Sequence, residues 1–309
     1  MDRPGLPRGG RMTIRFDGRV ALVTGAGAGL GRAHALGLAA RGAKVVVNDL
    51  TPGPVVDEIR AAGGEAMAAE ASVSVADAVA AMRDAVLRDW GRCDIVVNNA
   101  GILRDRSFPK MTLEDFRAVL DVHLVGSFNV SHAFWGAMRE QGYGRVVLTS
   151  SSSGLYGNFG QANYGAAKAA MVGLMNVLHQ EGAKYDIRVN TLAPTATTAM
   201  TEALLPADAA ALLAPETITP GVLWLVSEEA PSRMILAAGG GCFAQTRVFE
   251  TAGIVLAGDE LTPETVAARA AEIGAMRDPE EIAQAFTQTR NFAVRAAEAR
   301  GVPLDWTEE

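Results

Sequence analysis

The sequence predicts an α/β fold, a doubly wound parallel sheet of seven strands with a helical extension at its C-terminal end. Three observations predict it. Short β-branched runs alternate with longer Ala-rich stretches along most of the chain. The runs are continuously apolar, as strands buried on both faces are, where an exposed face would show alternation. The alternation stops near residue 240, at Gly239-Gly240-Gly241, and an Ala/Glu-rich helical pattern follows.

The strands read as Val20–Thr24, Lys44–Asn48, Glu65–Ala69, Ile95–Asn98, Gly144–Thr149, Arg188–Leu192 and Met234–Ala237. Helices fill the gaps at Gly31–Arg41, Val55–Ala62, Val75–Trp90, Leu113–Gln141, Asn163–Lys184 and Pro220–Val226. Beyond residue 240, Thr262-Pro263-Glu264 and Asp278-Pro279-Glu280 read as helix starts, with Pro at the first helical position. Three segments result: a disordered Gly/Pro/Arg-rich tail over residues 1–11, a nucleotide-binding catalytic domain over 12–240, and the extension over 241–309.

Composition narrows the function. The chain has 309 residues, 49% of them hydrophobic, enough for one large core. Its net charge of −7 argues against a broad nucleic-acid surface, and its apolar runs are too short to span a membrane. Cys93 and Cys242 show no paired spacing, so we expect two reduced thiols, no metal site and a reducing, cytoplasmic compartment. The tail lacks the apolar core of a signal peptide, and Met12 is an alternative start. The last four residues, Trp306 to Glu309, do not form a Ser-Lys-Leu address.

The first strand runs straight into Thr24-Gly25-Ala26-Gly27-Ala28-Gly29-Leu30-Gly31-Arg32. Glycines there allow a tight turn and close approach to a pyrophosphate, and the helix that follows offers unpaired N–H groups. An acid is required about twenty residues further on, and Asp49 ends the second strand. Its carboxylate can accept from the ribose hydroxyls of a dinucleotide and would repel a 2′-phosphate, which predicts NAD. Asn98-Asn99-Ala100-Gly101 follows the fourth strand, where an Asn can tie strands together or contact the cofactor ribose, two compatible roles. Tyr164 and Lys168, four residues apart on one helix, share a face. A phenol beside an ammonium ionises more readily and can exchange a proton with an alcohol. Ser151, upstream, can supply a second hydrogen bond to the same oxygen.

These elements together resemble the short-chain dehydrogenase/reductase family, over about residues 14–240, with a Rossmann sheet. The stretches VVVNDL, NNAGILRDRSF, HLVGSF and YGNFGQANY narrow the likeness. They resemble the (3R)-hydroxyacyl-CoA dehydrogenase branch, which includes the dehydrogenase unit of peroxisomal multifunctional enzyme type 2 (17β-hydroxysteroid dehydrogenase type 4) and bacterial single-domain relatives. The resemblance implies that Tyr164 is the general acid/base, that Ser151 binds the substrate oxygen, and that Lys168 holds the nicotinamide ribose and lowers the Tyr164 pKa. It implies that Gly25, Gly29, Leu30, Gly31, Asp49, Asn99 and Gly101 line the cofactor. Ser72 and Val73 stand where the family often has Asp-Val beside the adenine, and Pro194, Thr195, Thr197 and Thr198 face the pyrophosphate and carboxamide. His123 occupies the place of an Asn in the family's proton relay; it either takes part in catalysis or is a buried structural residue.

The same resemblance implies oxidation of a (3R)-3-hydroxyacyl-CoA to the 3-oxoacyl-CoA, in lipid metabolism and extending to steroid side-chain CoA esters. A 17β-hydroxysteroid or other secondary-alcohol dehydrogenase, and a catalytically silent NAD-binding scaffold, are the alternatives. Arg104, Arg106 and Lys110 form either a basic patch for CoA phosphates or a solvated loop. Residues 199–214 form either a lid over an acyl chain or a packed helix. The small residues of the helices Leu113–Gln141 and Asn163–Lys184 suit a homodimer or homotetramer contact, or packing on the chain's own sheet.

Overall fold

The computed structural model describes residues 13–197 and 206–306. The disordered tail expected over residues 1–11 lies outside them. The chain divides into two compact units, one ending at Gln245 and one beginning at Thr246.

The first unit is built on β1 (Val20–Thr24), β2 (Lys44–Asp49), β3 (Ala66–Glu70), β4 (Ile95–Asn98), β5 (Gly144–Thr149), β6 (Ile187–Pro194), β7 (Ile235–Gly239) and β8 (Cys242–Thr246). The sheet order is β3-β2-β1-β4-β5-β6-β7-β8, with β1 through β7 all parallel. The order reverses across β1 and β4, the place where open α/β sheets form their ligand crevice. Helices α1 (Gly29–Ala39), α2 (Gly53–Ala61), α3 (Ala76–Trp90), α4 (Leu113–Leu120), α5 (Gly126–Gln141), α6 (Ser152–Tyr156), α7 (Ala162–Gly182), α8 (Ala207–Leu212) and α9 (Thr219–Leu225) complete this unit among the described residues.

Successive strand residues point to opposite faces, and here both faces are covered. Ala21, Val23, Val45, Val47, Ile95 and Val97 belong to one buried cluster, with α1, α2 and α9 packed over it. Val20, Leu22, Val46 and Val96 belong to the other, under α3, α5 and α7. Continuous apolar strands are the expected outcome of such two-sided burial.

The sheet has eight strands among the described residues where the sequence suggested seven. Gly240 and Gly241, read as a break, adopt φ of +57° and +77°. Two successive positive φ values make the tight two-residue turn of a hairpin, which returns the chain as an antiparallel edge strand. The helix expected over Leu113–Gln141 is also divided, because Asp121–Val125 between α4 and α5 forms a π-helical turn.

The second unit holds α10 (Pro263–Ala268), α11 (Ala270–Ile273) and α12 (Ala285–Arg300). Thr262 caps α10 by accepting the Thr265 N–H at 3.1 Å, as the Thr-Pro-Glu start predicts.

Candidate active site

The carboxyl ends of β1, β2 and β4 hold the glycine loop through paired latches. The Thr24 hydroxyl oxygen accepts the N–H groups of Asn99 and Ala100, both at 3.0 Å. The Asn99 amide donates to the carbonyls of Thr24 at 3.0 Å and Gly25 at 3.1 Å. This geometry is a strand tie, and it is compatible with a cofactor contact by the same residue. Gly31 is sterically obligatory, since a Cβ there would lie 2.1 Å from the Gly25 carbonyl oxygen. That close approach seats α1, through the half-buried Leu30, with the N-terminus of the helix behind the loop; Gly29 turns into it at φ +53°.

Asp49 points back at this loop. Its carboxylate accepts the Gly27 N–H at 2.9 Å and the Thr51 N–H at 3.2 Å. A cavity of about 170 Å³ opens beside it, lined among others by Gly25, Asp49, Ser72, Val73, Ala100 and Gly101. The Ser72 hydroxyl is engaged with the Ser74 hydroxyl at 2.9 Å, and the Val73 carbonyl accepts from the Asn129 amide at 3.0 Å. Donors of a glycine loop, a carboxylate and an apolar floor meet in one cradle, and these residues fit a dinucleotide.

Ser151, Tyr164, Lys168 and His123 converge at the ends of β5 and α7. Ser151, the N-cap of α6, accepts the Ser153 N–H at 3.2 Å, and its hydroxyl pulls the Tyr164 phenol pKa down. Lys168 is buried, and its ammonium donates to the Thr149 carbonyl at 2.6 Å. The Lys168 carbonyl in turn accepts the Ser150 hydroxyl at 2.7 Å, so both ends of the residue are anchored to the end of β5. The Lys168 nitrogen stands 5.6 Å from the Tyr164 ring centroid. The His123 ring meets the Tyr164 ring edge-on, with centroids 5.2 Å apart and planes at 88°.

Lys168 is not among the groups that shift the Tyr164 pKa in this structure. Burial raises the Tyr164 pKa, the Ser151 hydrogen bond opposes it, and the Asp105 carboxylate adds to the rise. Burial also pulls Lys168 down to about 7, so its ammonium is itself held at a cost. His123 is pushed to about 3 by burial first and by the Lys168 charge second, and stays neutral at ordinary pH. Its Nε2 lies 3.0 Å from the Ile102 nitrogen and 2.9 Å from the Ile102 oxygen, and its buried Nδ1 has no hydrogen-bond partner.

Sequence reasoning missed why residue 101 is glycine. A Cβ there would lie 2.2 Å from His123 Cε1, so the NNAG glycine is the seat of the imidazole. It also missed Asn163, whose amide donates to the carbonyls of Arg104 at 2.9 Å and Asp115 at 3.3 Å. The loop after β4 is tied down further by Arg106 on Asp115 at 3.0 Å and Gln161 on Asp105 at 2.7 Å. Arg106 is thus part of the loop's own structure, while Arg104 and Lys110 are exposed.

After Pro194, which ends β6, the Thr195 N–H donates to the Ala238 carbonyl at 2.8 Å. The Thr197 hydroxyl donates to the Ala210 carbonyl of α8 at 2.8 Å. Thr198 and residues 199–205 of the expected lid lie outside the described residues; α8 forms the rest of that segment as a short helix. A second cavity of about 350 Å³ lies beyond Ser152, lined by Leu155, Tyr156, Leu213 and Phe243 among others.

A cradle that fits a dinucleotide, beside a serine, a phenol and a buried lysine, belongs to an oxidoreductase acting on CH–OH groups with a nicotinamide cofactor. The family described as short chain dehydrogenase matches residues 19–209, and the chain belongs to that family. It is 47% identical over 268 residues to mouse peroxisomal multifunctional enzyme type 2, covering 82% of this chain and 36% of that protein. It is 46% identical over 204 residues to a hydroxyacyl-CoA dehydrogenase of Mycobacterium tuberculosis, covering 61% of this chain and 64% of that one. A 7α-hydroxysteroid dehydrogenase solved with NADH and a 7-oxo bile acid superposes with a TM-score of 0.69 at 30% identity, over 74% of this chain and 95% of that one. The chain spans about a third of the length of the multifunctional relatives it matches.

Proposed function

We propose that this chain oxidises a (3R)-3-hydroxyacyl-CoA to the 3-oxoacyl-CoA with NAD. The observation that carries the chemistry is the convergence of Ser151, Tyr164 and Lys168 beside the cradle, on a chain 46% identical to a hydroxyacyl-CoA dehydrogenase. When bound, the oxidised nicotinamide supplies the hydride acceptor and a positive charge. Gly25, Gly29, Gly31, Asp49, Asn99 and Gly101 shape its cradle, and Lys168 holds its ribose. Tyr164 takes the alcohol proton at its phenol oxygen. Ser151 binds the substrate oxygen and eases Tyr164 ionisation, while the Lys168 ammonium stabilises the developing alkoxide. His123 acts by position, as a neutral wedge against Tyr164. The cavity beyond Ser152 suits an apolar acyl or steroid body.

Parallel assays of NAD reduction with a (3R)-3-hydroxyacyl-CoA and with 17β-estradiol test the substrate. Turnover of the CoA ester is expected; turnover of the free steroid alone would leave the secondary-alcohol reading in its place. The choice of NAD rests on Asp49, whose carboxylate sits at 2.9 Å on the Gly27 N–H and repels a 2′-phosphate. Asp49→Ala is therefore expected to lower the NAD/NADP ratio of kcat/KM by about tenfold or more, the worth of one charged hydrogen-bonding group. An unchanged ratio would remove the cofactor argument.

Exposed Phe128 on α5, Val177 on α7 and Val125 in the π-helical turn before α5 support association as a homodimer or homotetramer. A monomeric mass in sedimentation would end that reading. Both cysteines are free, Cys93 buried and Cys242 exposed, which suits a reducing compartment such as the cytoplasm. No helix among the described residues is long and apolar enough to cross a membrane.

A further inference from the structure

We propose that the unit beginning at Thr246 carries a binding site of its own, for a phosphate ester with an organic body, gripped by Arg277 and Arg295. A cavity of about 390 Å³ lies wholly within this unit, between the loop at Ala252–Val255, the α10–α11 pair and α12. Three guanidiniums, from Arg269, Arg277 and Arg295, line it against the single carboxylate of Glu272. Arg269 is committed to that carboxylate, in a two-pronged pair at 3.1 and 2.8 Å. Arg277 and Arg295 form no ion pair or side-chain hydrogen bond among the described residues, although Glu272 feels the Arg277 charge. Two guanidiniums outside any ion pair on one cavity, in a chain of net charge −7, mark a place for an anion.

The walls are held. The Thr251 hydroxyl donates to the Ile273 carbonyl at 2.6 Å, and Glu250 and Glu280 exchange backbone hydrogen bonds, both at 2.9 Å. A neighbouring cavity of opposite character, with Glu250, Glu280 and Glu298, shares Arg295 as a wall. Arg295 thus stands between an acidic and a basic compartment and is held out of neither.

Guanidiniums bind phosphate oxygens two at a time, and two of them on one cavity suit the double charge of a phosphate ester. The volume falls within the range of small-molecule sites, well above the needs of bare phosphate. Ile254, Val255, Ala271 and Ala275 supply an apolar, uncrowded wall for the rest of the ligand. The chemistry matches the phosphorylated adenosine end of CoA, and to that extent the ligand rests on the function proposed above.

The probe is adenosine 3′,5′-bisphosphate, titrated calorimetrically into the full chain with NAD saturating so that the dinucleotide cradle is filled. Binding is expected, weakened about tenfold or more in Arg277→Gln/Arg295→Gln and unchanged in Arg83→Gln, a charge control on α3. Equal affinity in the double variant overturns the site, and inorganic phosphate binding as tightly as the bisphosphate overturns the organic body. Should the double variant misfold by circular dichroism, Ala271→Glu, which sets a carboxylate on the same wall at an exposed position, is expected to weaken binding to the same degree. Turnover separates this proposal from the previous one. Comparison of a 3-hydroxyacyl pantetheine ester with its CoA ester reads the main site without the nucleotide. If neither ester reacts but the bisphosphate series holds, the activity fails and the site stands; if both react and the bisphosphate series is flat, the reverse is true.

Discussion

Tyr164→Phe is expected to bind NAD with unchanged affinity and to lose about three orders of magnitude in kcat, the middle of the range for a positioned acid/base group. The substitution removes one oxygen from a half-buried ring whose packing against His123 is edge-on and needs no hydroxyl. Fluorescence titration of cofactor and steady-state rates measure the two effects separately, and near-wild-type turnover would take Tyr164 out of its role. The pH profile carries a sharper form of the same argument. Burial raises the phenol pKa, so the phenolate needed as a base gains population as pH rises. Alcohol oxidation should therefore climb through the alkaline range. Ser151 is the group that pulls this pKa down, so Ser151→Ala should shift the climb to higher pH as well as slow it. A shift to lower pH in that variant contradicts the assignment.

That electrostatic picture could not be read from the sequence, and the reason is physical. The Tyr164/Lys168 spacing shows that the two side chains share a helix face, and the structure places them so, with 5.6 Å between the ammonium and the ring centroid. Whether the pair favours phenolate depends on how deeply the site is buried, and burial is a property of β5, α6 and the π-helical turn packing around it. The turn itself was hidden for a related reason. One extra residue in a helical turn slips the apolar period too little to be noticed within the run from Leu113 to Gln141. By contrast, the central strands β1, β2, β4, β5 and β6 were legible because two-sided burial demands continuous apolar runs, and the glycine loop because its backbone contacts admit so few residues. The strand β8 was lost where Gly240-Gly241, a hairpin turn, read as the end of the sheet. Arg269, Arg277 and Arg295 stand too far apart in sequence for their shared cavity to show as a pattern.

Gly101→Ala is expected to be disproportionately damaging for the addition of one methyl group. Gly101 is not at positive φ, so alanine meets no backbone strain there. The obstacle is the imidazole alone, with a new Cβ 2.2 Å from His123 Cε1, 2.9 Å from Nδ1 and 3.0 Å from Nε2. The ring is buried and has nowhere to yield without leaving Ile102 and pressing on Tyr164. A loss of about 2 kcal/mol in urea denaturation follows from overpacking of this kind, together with a fall in kcat of about tenfold or more as Tyr164 is displaced. Gly101→Ala/His123→Ser should recover most of the stability, because it removes the ring the methyl group strikes; additive losses in the double variant would show that the two residues are not a packed pair. His123→Asn distinguishes position from proton transfer. The imidazole is pushed to about 3, so it is neutral throughout the working range and does not change charge near neutrality. The variant should then keep the wild-type pH profile between about pH 5 and 8, and an acidic limb that disappears on substitution would make His123 a catalytic residue. The same depressed pKa has a folding consequence. Between its unfolded value near 6.5 and about 3, the unfolded chain takes up a proton that the folded site refuses, so stability falls as pH drops through that window. His34, also buried and also near 3, adds to the slope. His123→Asn should make it shallower by one group, while leaving the contribution of His34 in place.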